Sequence, residues 1–294
     1  MLAMMKTYEV AGHRFSVEMP SESPLWGMMG QYSPFETDNG GDVVFSLRTV
    51  ASAPEKETEP VYTEIPEEPD QSRIEIYKAA GGWRLEMAPT SRARRCCILD
   101  LDEGFTSGQL WIEPERRSAL FSLNNALMVM FAFRTATLGT LEMHSSVVTN
   151  GGKAYMFLGK SGTGKSTHSR QWLESIPGTE LLNDDNPIIR LEADGTVRVY
   201  GSPWSGKTPC YRNASAPVGA IVRIRQCPEN RISRLSVVES YASVYSSCSG
   251  LKFYKSMADA IHSTLEGVVL GVPCYVLDCR PDHDAARVCH EAVV

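Results

Sequence analysis

The sequence predicts an α/β protein: a mixed strand-and-helix core in the C-terminal part, preceded by a β-rich N-terminal region. Three observations carry this. Before residue 120 the chain falls into short strand-like segments separated by glycine-containing joins. From 121 onward, apolar residues at helical spacing alternate with short buried-type strands. Between one such strand and one such helix lies Gly159-Lys160-Ser161-Gly162-Thr163-Gly164-Lys165-Ser166, a complete match to G-x-x-x-x-G-K-[ST]. The boundary between the two regions, 1–120 and 121–294, is set where the pattern changes.

In the N-terminal region, strands are predicted over 13–19, 42–50, 73–78, 83–87, 96–101 and 109–113. Gly81-Gly82 and Glu103-Gly104 read as hairpin turns, so an antiparallel meander is the economical arrangement. The stretch 53–71 is crowded with Pro and Glu and reads as a mobile spacer. Ser122 then reads as the cap of a helix over 123–138 that Gly139 ends, with Leu127, Met130 and Phe131 on its core face. A strand-like segment over 141–149 carries His144.

The Gly159–Ser166 run arises by chance in a chain of this size roughly once in a hundred, from average glycine and lysine usage. Its context sharpens it. Lys153-Ala154-Tyr155-Met156-Phe157-Leu158 reads as a buried strand, and 165–176 as a helix stopped by Pro177-Gly178. At such a turn, freed backbone N–H groups and the positive end of the helix dipole converge on a phosphate. The residues expected to bind nucleotide are Gly159, Lys160, Ser161, Gly162, Thr163, Gly164, Lys165, Ser166 and the following Thr167. Lys165 reaches the β- and γ-phosphates and the Ser166 hydroxyl is placed for Mg²⁺.

Strands are further predicted over 180–182, 188–191, 196–200, 220–225 and 274–278, with helices over 237–245 and 257–269 and a last one from Asp282. Asn183-Asp184-Asp185 follows the first of these strands. Its two acids either supply a metal ligand and a base or merely open a turn into Asn186-Pro187. Gly201-Ser202-Pro203-Trp204-Ser205-Gly206-Lys207 either closes over a ligand or packs as a surface turn anchored by Trp204. Arg212, Arg223, Arg225, Arg231 and Arg234 form a basic series from which a phosphate contact could come.

Composition is that of a globular protein, 43% hydrophobic and 22% charged, with net charge −6 and pI near 5.6. That balance argues against nucleic acid as a partner. The apolar run 126–133 is too short to span a bilayer and the N-terminus lacks a leader pattern, so a cytoplasmic location away from membranes is expected. Eight cysteines without C-x-x-C spacing are expected to be reduced, buried thiols.

Taken together, His144, the Gly159–Ser166 loop and the Asp184-Asp185 pair resemble the C-terminal catalytic domain of HPr kinase/phosphorylase. The helix beginning near Ser122 and Gly201-Ser202-Pro203-Trp204 look still more like the smaller HPr-kinase-like proteins found beside peptide-modification systems. The resemblance covers roughly 120–294. It implies a phosphoenolpyruvate carboxykinase-like P-loop core, ATP and Mg²⁺ as cofactors, and homo-oligomeric assembly. It also implies catalytic roles for His144, Lys165, Asp184 and Asp185, with Ser166 and Asp185 at the metal. Gly201–Lys207 stands where that family carries a glycine-rich signature, and the β-rich region replaces its regulatory domain. The activity expected is transfer of the γ-phosphate of ATP to a hydroxyl of a small molecule, peptide or protein. Two rivals are a catalytically silent nucleotide sensor and a carboxykinase-like metabolic enzyme.

Overall fold

The computed structural model describes residues 2–38, 40–55, 59–64, 72–114, 118–206 and 208–294. The chain is mixed α/β and divides into two compact units, 1–134 and 135–294. The division falls fourteen residues beyond the position expected at 120, because the long helix belongs mostly to the first unit.

The first unit contains β1 (Ala3–Val10), β2 (His13–Pro20), two 3-10 turns, β3 (Glu36–Thr37), β4 (Phe45–Val50), β5 (Tyr62–Glu64), β6 (Arg73–Ala79), β7 (Gly82–Ala88), β8 (Cys97–Asp102), β9 (Ser107–Ile112) and α1 (Ala119–Ala136). The strands form one nine-stranded sheet in the order β3-β1-β2-β4-β9-β8-β7-β6-β5. Both expected hairpins are present, β6–β7 and β8–β9. The sheet is not the all-antiparallel meander expected, however, since β4 pairs parallel with β2 on one side and with β9 on the other. Of the Pro/Glu-rich stretch 53–71, Tyr62–Glu64 forms an edge strand on β6; 56–58 and 65–71 lie outside the described residues.

Helix α1 starts three residues earlier than Ser122. That serine lies within the helix and donates its hydroxyl to Ser118 O at 2.8 Å, so it is not a cap. Gly139 ends the segment as expected, with φ +69°. Met130 and Phe131 of α1 pack on the sheet of the first unit: Phe131 meets Phe15, and a Cβ at Gly108 would lie 2.5 Å from Met130 Sδ. Among the described residues α1 is the one helix long and apolar enough to cross a membrane by length and composition, and 61% of it is buried within the protein.

The second unit contains β10 (Thr140–Glu142), β11 (Ser145–Asn150), β12 (Lys153–Leu158), α2 (Lys165–Ser175), β13 (Glu180–Asp185), β14 (Ile188–Leu191), β15 (Val197–Tyr200), β16 (Ser215–Gln226), β17 (Arg231–Arg234), α3 (Val237–Tyr245), α4 (Lys255–Gly271), β18 (Cys274–Cys279) and α5 (His283–Val293). The long strand β16 organises the sheet. Its start pairs antiparallel with β15, and its remainder runs parallel between β12 and β18. Strand β11 separates β12 from β13, antiparallel to both. The segment 141–149 is therefore not one strand: it breaks at Met143–His144 between β10 and β11.

Helices α2 and α5 cover one face of this sheet around Tyr155, Phe157 and Trp172. Trp172 is fully buried, with ring centroids 5.1 Å from Tyr155, 5.5 Å from Phe157 and 5.3 Å from His290. Arg223, whose neighbour Val222 belongs to that core, turns the other way and bonds Ser243 of α3. Helix α3 opens with a reciprocal Ser236–Glu239 capping box, and Asp282 caps α5 through Ala285 N–H. All eight cysteines are free, six of them buried.

Because Trp172 joins α2, α5 and the sheet, Trp172→Ala is expected to destabilise the protein by about 3–5 kcal/mol. Urea unfolding checks this as a lowered midpoint with the slope unchanged.

Candidate functional site

The Gly159–Gly164 loop connects the carboxyl end of β12 to the first residue of α2. Gly162 and Gly164 sit at φ +76° and +101°, where a side chain would be strained, and a Cβ on Gly159 would lie 2.3 Å from Thr163 Oγ1. The loop is closed by Thr163, whose N–H and hydroxyl both donate to Lys160 O, at 3.2 and 2.8 Å. Gln226 at the end of β16 donates to Gly162 O at 3.2 Å. Helix α2 has no side-chain cap and no acid in its first turn, so its positive end faces outward uncompensated. Lys160, Ser161 and Ser166 are exposed there, and Thr163, Gly164 and Thr167 are half-buried.

Lys165 folds back under the loop and is 9% exposed. Its ammonium donates to Gly159 O at 3.0 Å, to Lys160 O at 3.4 Å and to His144 Nε2 at 2.7 Å. Burial pulls the lysine pKa down; Asp185 and Asp184 oppose that, and Arg223 adds repulsion. The imidazole of His144 is likewise pushed below 6.5, first by burial and then by the Lys165 charge, with the two aspartates opposing. A neutral ring that accepts at Nε2 carries its proton on Nδ1, which faces Asp185 Oδ1 across 3.4 Å. Lys165, His144 and Asp185 thus form one polar chain.

Sheet register brings these groups together. Asp185 pairs with Ser145, Ser145 with Leu158 at the foot of the loop, and Leu158 with Arg223. The acids therefore stand two strand spacings from the loop, roughly 10 Å. In the next row, Asp184 lies opposite Ser146, whose hydroxyl is 2.6 Å from Ser169 of α2. Asp184 thus shares the α2 face with Ser146. Asp184 is 4% exposed, whereas the Asp185 side chain is 36% exposed. Asp184 and Asp185 are the last residues of β13, not a turn following it.

Beneath the acids, Asn183 is fully buried and donates to Ser202 Oγ and Trp204 O, both at 3.2 Å. Ser205 forms an isolated bridge with Asp185, and Gly206 N–H donates to Asp184 O at 2.6 Å. A Cβ at Gly206 would lie 3.1 Å from that of Asp185. Trp204 is 3% exposed and seated as an anchor, which favours the packed-turn reading of this segment. Lys207 lies outside the described residues.

Two site neighbours escaped the sequence reading or were left undistinguished by it. Glu142, 2% exposed and two residues before His144, has its carboxyl pushed up to about 7 by burial; Asp185 adds to this and a Ser249 hydrogen bond opposes it. A glutamate between Leu141 and Met143 was the available signal. Of the arginine series, Arg212 pairs with Glu180 and Arg225 with Asp278. Arg223 adjoins the site: it donates to Ser243, Ser246 and Ser247, and Ser247 O accepts the His144 backbone N–H at 2.7 Å.

No protein-family model and no curated protein matches the chain. What the arrangement can do therefore rests on its own geometry. No group of three or more His, Cys, Asp or Glu is assembled for a metal among the described residues. A magnesium ion carried by phosphates needs only one or two protein oxygens, and the exposed Ser166 hydroxyl and the Asp184 carboxylate on the α2 face are of that kind.

The charge chain makes a measurable prediction. His144 should titrate below 6.5 by NMR; Lys165→Met should raise that value by removing a positive neighbour, and Asp185→Asn should lower it further.

Proposed function

We propose that the second unit is a phosphoenolpyruvate carboxykinase-like P-loop core and that the protein is an ATP- and magnesium-dependent kinase of HPr-kinase-like type. Its acceptor is a hydroxyl on a small molecule, peptide or protein. The observation that carries this reading is the Lys165–His144–Asp185 chain beside the Gly159–Ser166 loop, with Asp184 on the loop's helix side. A protein that only held nucleotide would need the loop but not the carboxylates.

In this reading the loop amides and the start of α2 hold the triphosphate, and Lys165 neutralises its β- and γ-oxygens. Ser166 and Asp184 would hold magnesium, which would supply positive charge against the phosphates. The alternation along β13 and the burial of Asp184 support giving it that role. The more exposed Asp185, oriented by His144 and by the Asn186 amide 3.1 Å from its Oδ2, takes the acceptor proton. The acceptor oxygen then bonds to the γ-phosphorus as the bond to the β-phosphate bridging oxygen breaks, and ADP leaves.

Transfer from γ-labelled ATP to a panel of hydroxyl compounds, serine peptides and extract proteins tests this. Asp185→Asn should lower kcat about 10²–10⁴-fold, as expected for loss of a general base. Wild-type protein that binds Mg-ATP yet labels none of these acceptors would count against the kinase reading.

Replacing Lys165 with Ala should weaken Mg-ATP binding in calorimetry and lower transfer together, since one ammonium serves both. An unchanged affinity would remove the lysine from the phosphate site.

A further inference from the structure

The guanidinium of Arg223 is held by serine oxygens. Its Nε–H donates to Ser243 Oγ at 2.7 Å, and Nη2 donates to Ser243 O, to Ser246 Oγ at 2.8 Å and to Ser247 Oγ at 3.0 Å. Nη1 has no hydrogen-bond partner, and no carboxylate pairs with this arginine, among the described residues. Arg225 two residues on is paired with Asp278, and Arg212 with Glu180. Burial draws the Arg223 pKa down and no acid opposes it.

The cluster holds more donors than acceptors. Ser243 O already takes the Ser246 hydroxyl at 2.8 Å besides Nη2, and the hydroxyls of Ser243 and Ser247, which accept from the guanidinium, keep their own hydrogens to donate. The carbonyl at the end of α3 gives the cation a partner without a full opposing charge. A positive, donor-rich group of this kind suits an oxyanion. Ser246 is exposed and Arg223 half-buried, so the group is open to solvent.

His144 links this group to the loop. Its ring bonds Lys165, and its backbone N–H bonds the carbonyl of Ser247, whose hydroxyl accepts from Arg223. The Arg223 charge also reaches Lys165, whose pKa it helps to lower. The two cations nevertheless leave the sheet differently. Lys165 opens α2, which covers the face of Val222 and Trp172, whereas Arg223 leaves β16 towards α3. In the proposed reaction Lys165 and the loop serve the triphosphate, and a transferase must also hold its second substrate.

We infer that Arg223, with the Ser243 and Ser247 hydroxyls, holds an oxyanion of the acceptor, so that the acceptor is a hydroxyl compound carrying a carboxylate or phosphate near its reacting oxygen. The inference rests on the kinase reading and narrows its acceptor. It makes Arg223 a specificity-determining residue that takes no part in holding the nucleotide.

Two measurements on the whole chain test it. The first uses inorganic sulfate on protein saturated with Mg-ADP, so that the loop is already filled. Sulfate in the millimolar range should raise the His144 titration midpoint in NMR, because a nearby anion favours the imidazolium. Arg223→Gln should abolish that response with Mg-ADP affinity kept, which also reports that the variant is folded. Arg223→Lys, which keeps the charge and loses the fork, should bind sulfate more weakly than wild type. An arginine that only tied β16 to α3 would leave His144 indifferent to sulfate. No response in wild type, or the same response in both variants, overturns the anion seat.

The second compares transfer from γ-labelled ATP to N-acetylserine against N-acetylserinamide, and to glycerol 3-phosphate against glycerol. The charged member of at least one pair should be preferred about tenfold or more in kcat/KM, the increment of a charge-assisted contact, and the pair tells carboxylate from phosphate. Arg223→Gln should erase the preference by raising KM. Equal use of both members in wild type, or a preference that survives in Arg223→Gln, overturns the acceptor assignment while the kinase reading stands. If nothing is labelled, the kinase reading falls and the acceptor assignment with it, while the sulfate response still decides the anion seat.

Discussion

The row of backbone pairs from Asp185 through Ser145 and Leu158 to Arg223 is the constraint on which the site depends. It holds two acids, a histidine and a glycine loop at fixed separations along one sheet edge, independent of any side-chain contact. Within that frame, Lys165 can remain a buried cation because Asp184 and Asp185 oppose the effect of its desolvation. His144 stays neutral between them and links ammonium to carboxylate. A slip of β11 by one residue would exchange the faces of Ser145 and Ser146 and break the arrangement as a whole.

The fold also separates tasks across the sheet. Strand β12 delivers the loop, the strands on one side deliver charge, and those on the other border a cavity of about 570 Å³ lined by both apolar and polar side chains. Helix α2 serves both sides: its start faces outward at the loop, and its flank at Thr167, His168 and Gln171 borders a cavity beside Gly162–Gly164. The Trp172 cluster fixes the helix axis, so packing in the core sets geometry at the surface.

Much of this was legible in the sequence where the signal was local. The hairpins at Gly81-Gly82 and Glu103-Gly104, the Lys153–Leu158 strand with its loop and helix, and α3 over Val237–Tyr245 all follow from short-range pattern. The parallel pairing of β4 was not legible, because nothing in Phe45–Val50 names a partner sixty residues away in β9. Strand β1 was missed because Ala3–Val10 was read only for a leader pattern. Ser122 misled because a serine before an apolar run resembles a cap, while the helix had already begun at Ala119. At the site, the loop and acids were visible as motifs. Glu142 was not, because its importance comes from burial, which a single glutamate in an apolar run does not announce.

Asp185 has φ +141°, a backbone conformation that L-residues other than glycine rarely enter and that costs on the order of 1–3 kcal/mol. It is held there by the bridge to Ser205 and by the close approach of Gly206. The aim of this carboxylate is therefore set by a latch on the adjoining turn, not by the residue's own preference. Lifting Ser205–Gly206 would let the backbone relax and swing the acid off His144, so the turn works as a safety catch on that contact.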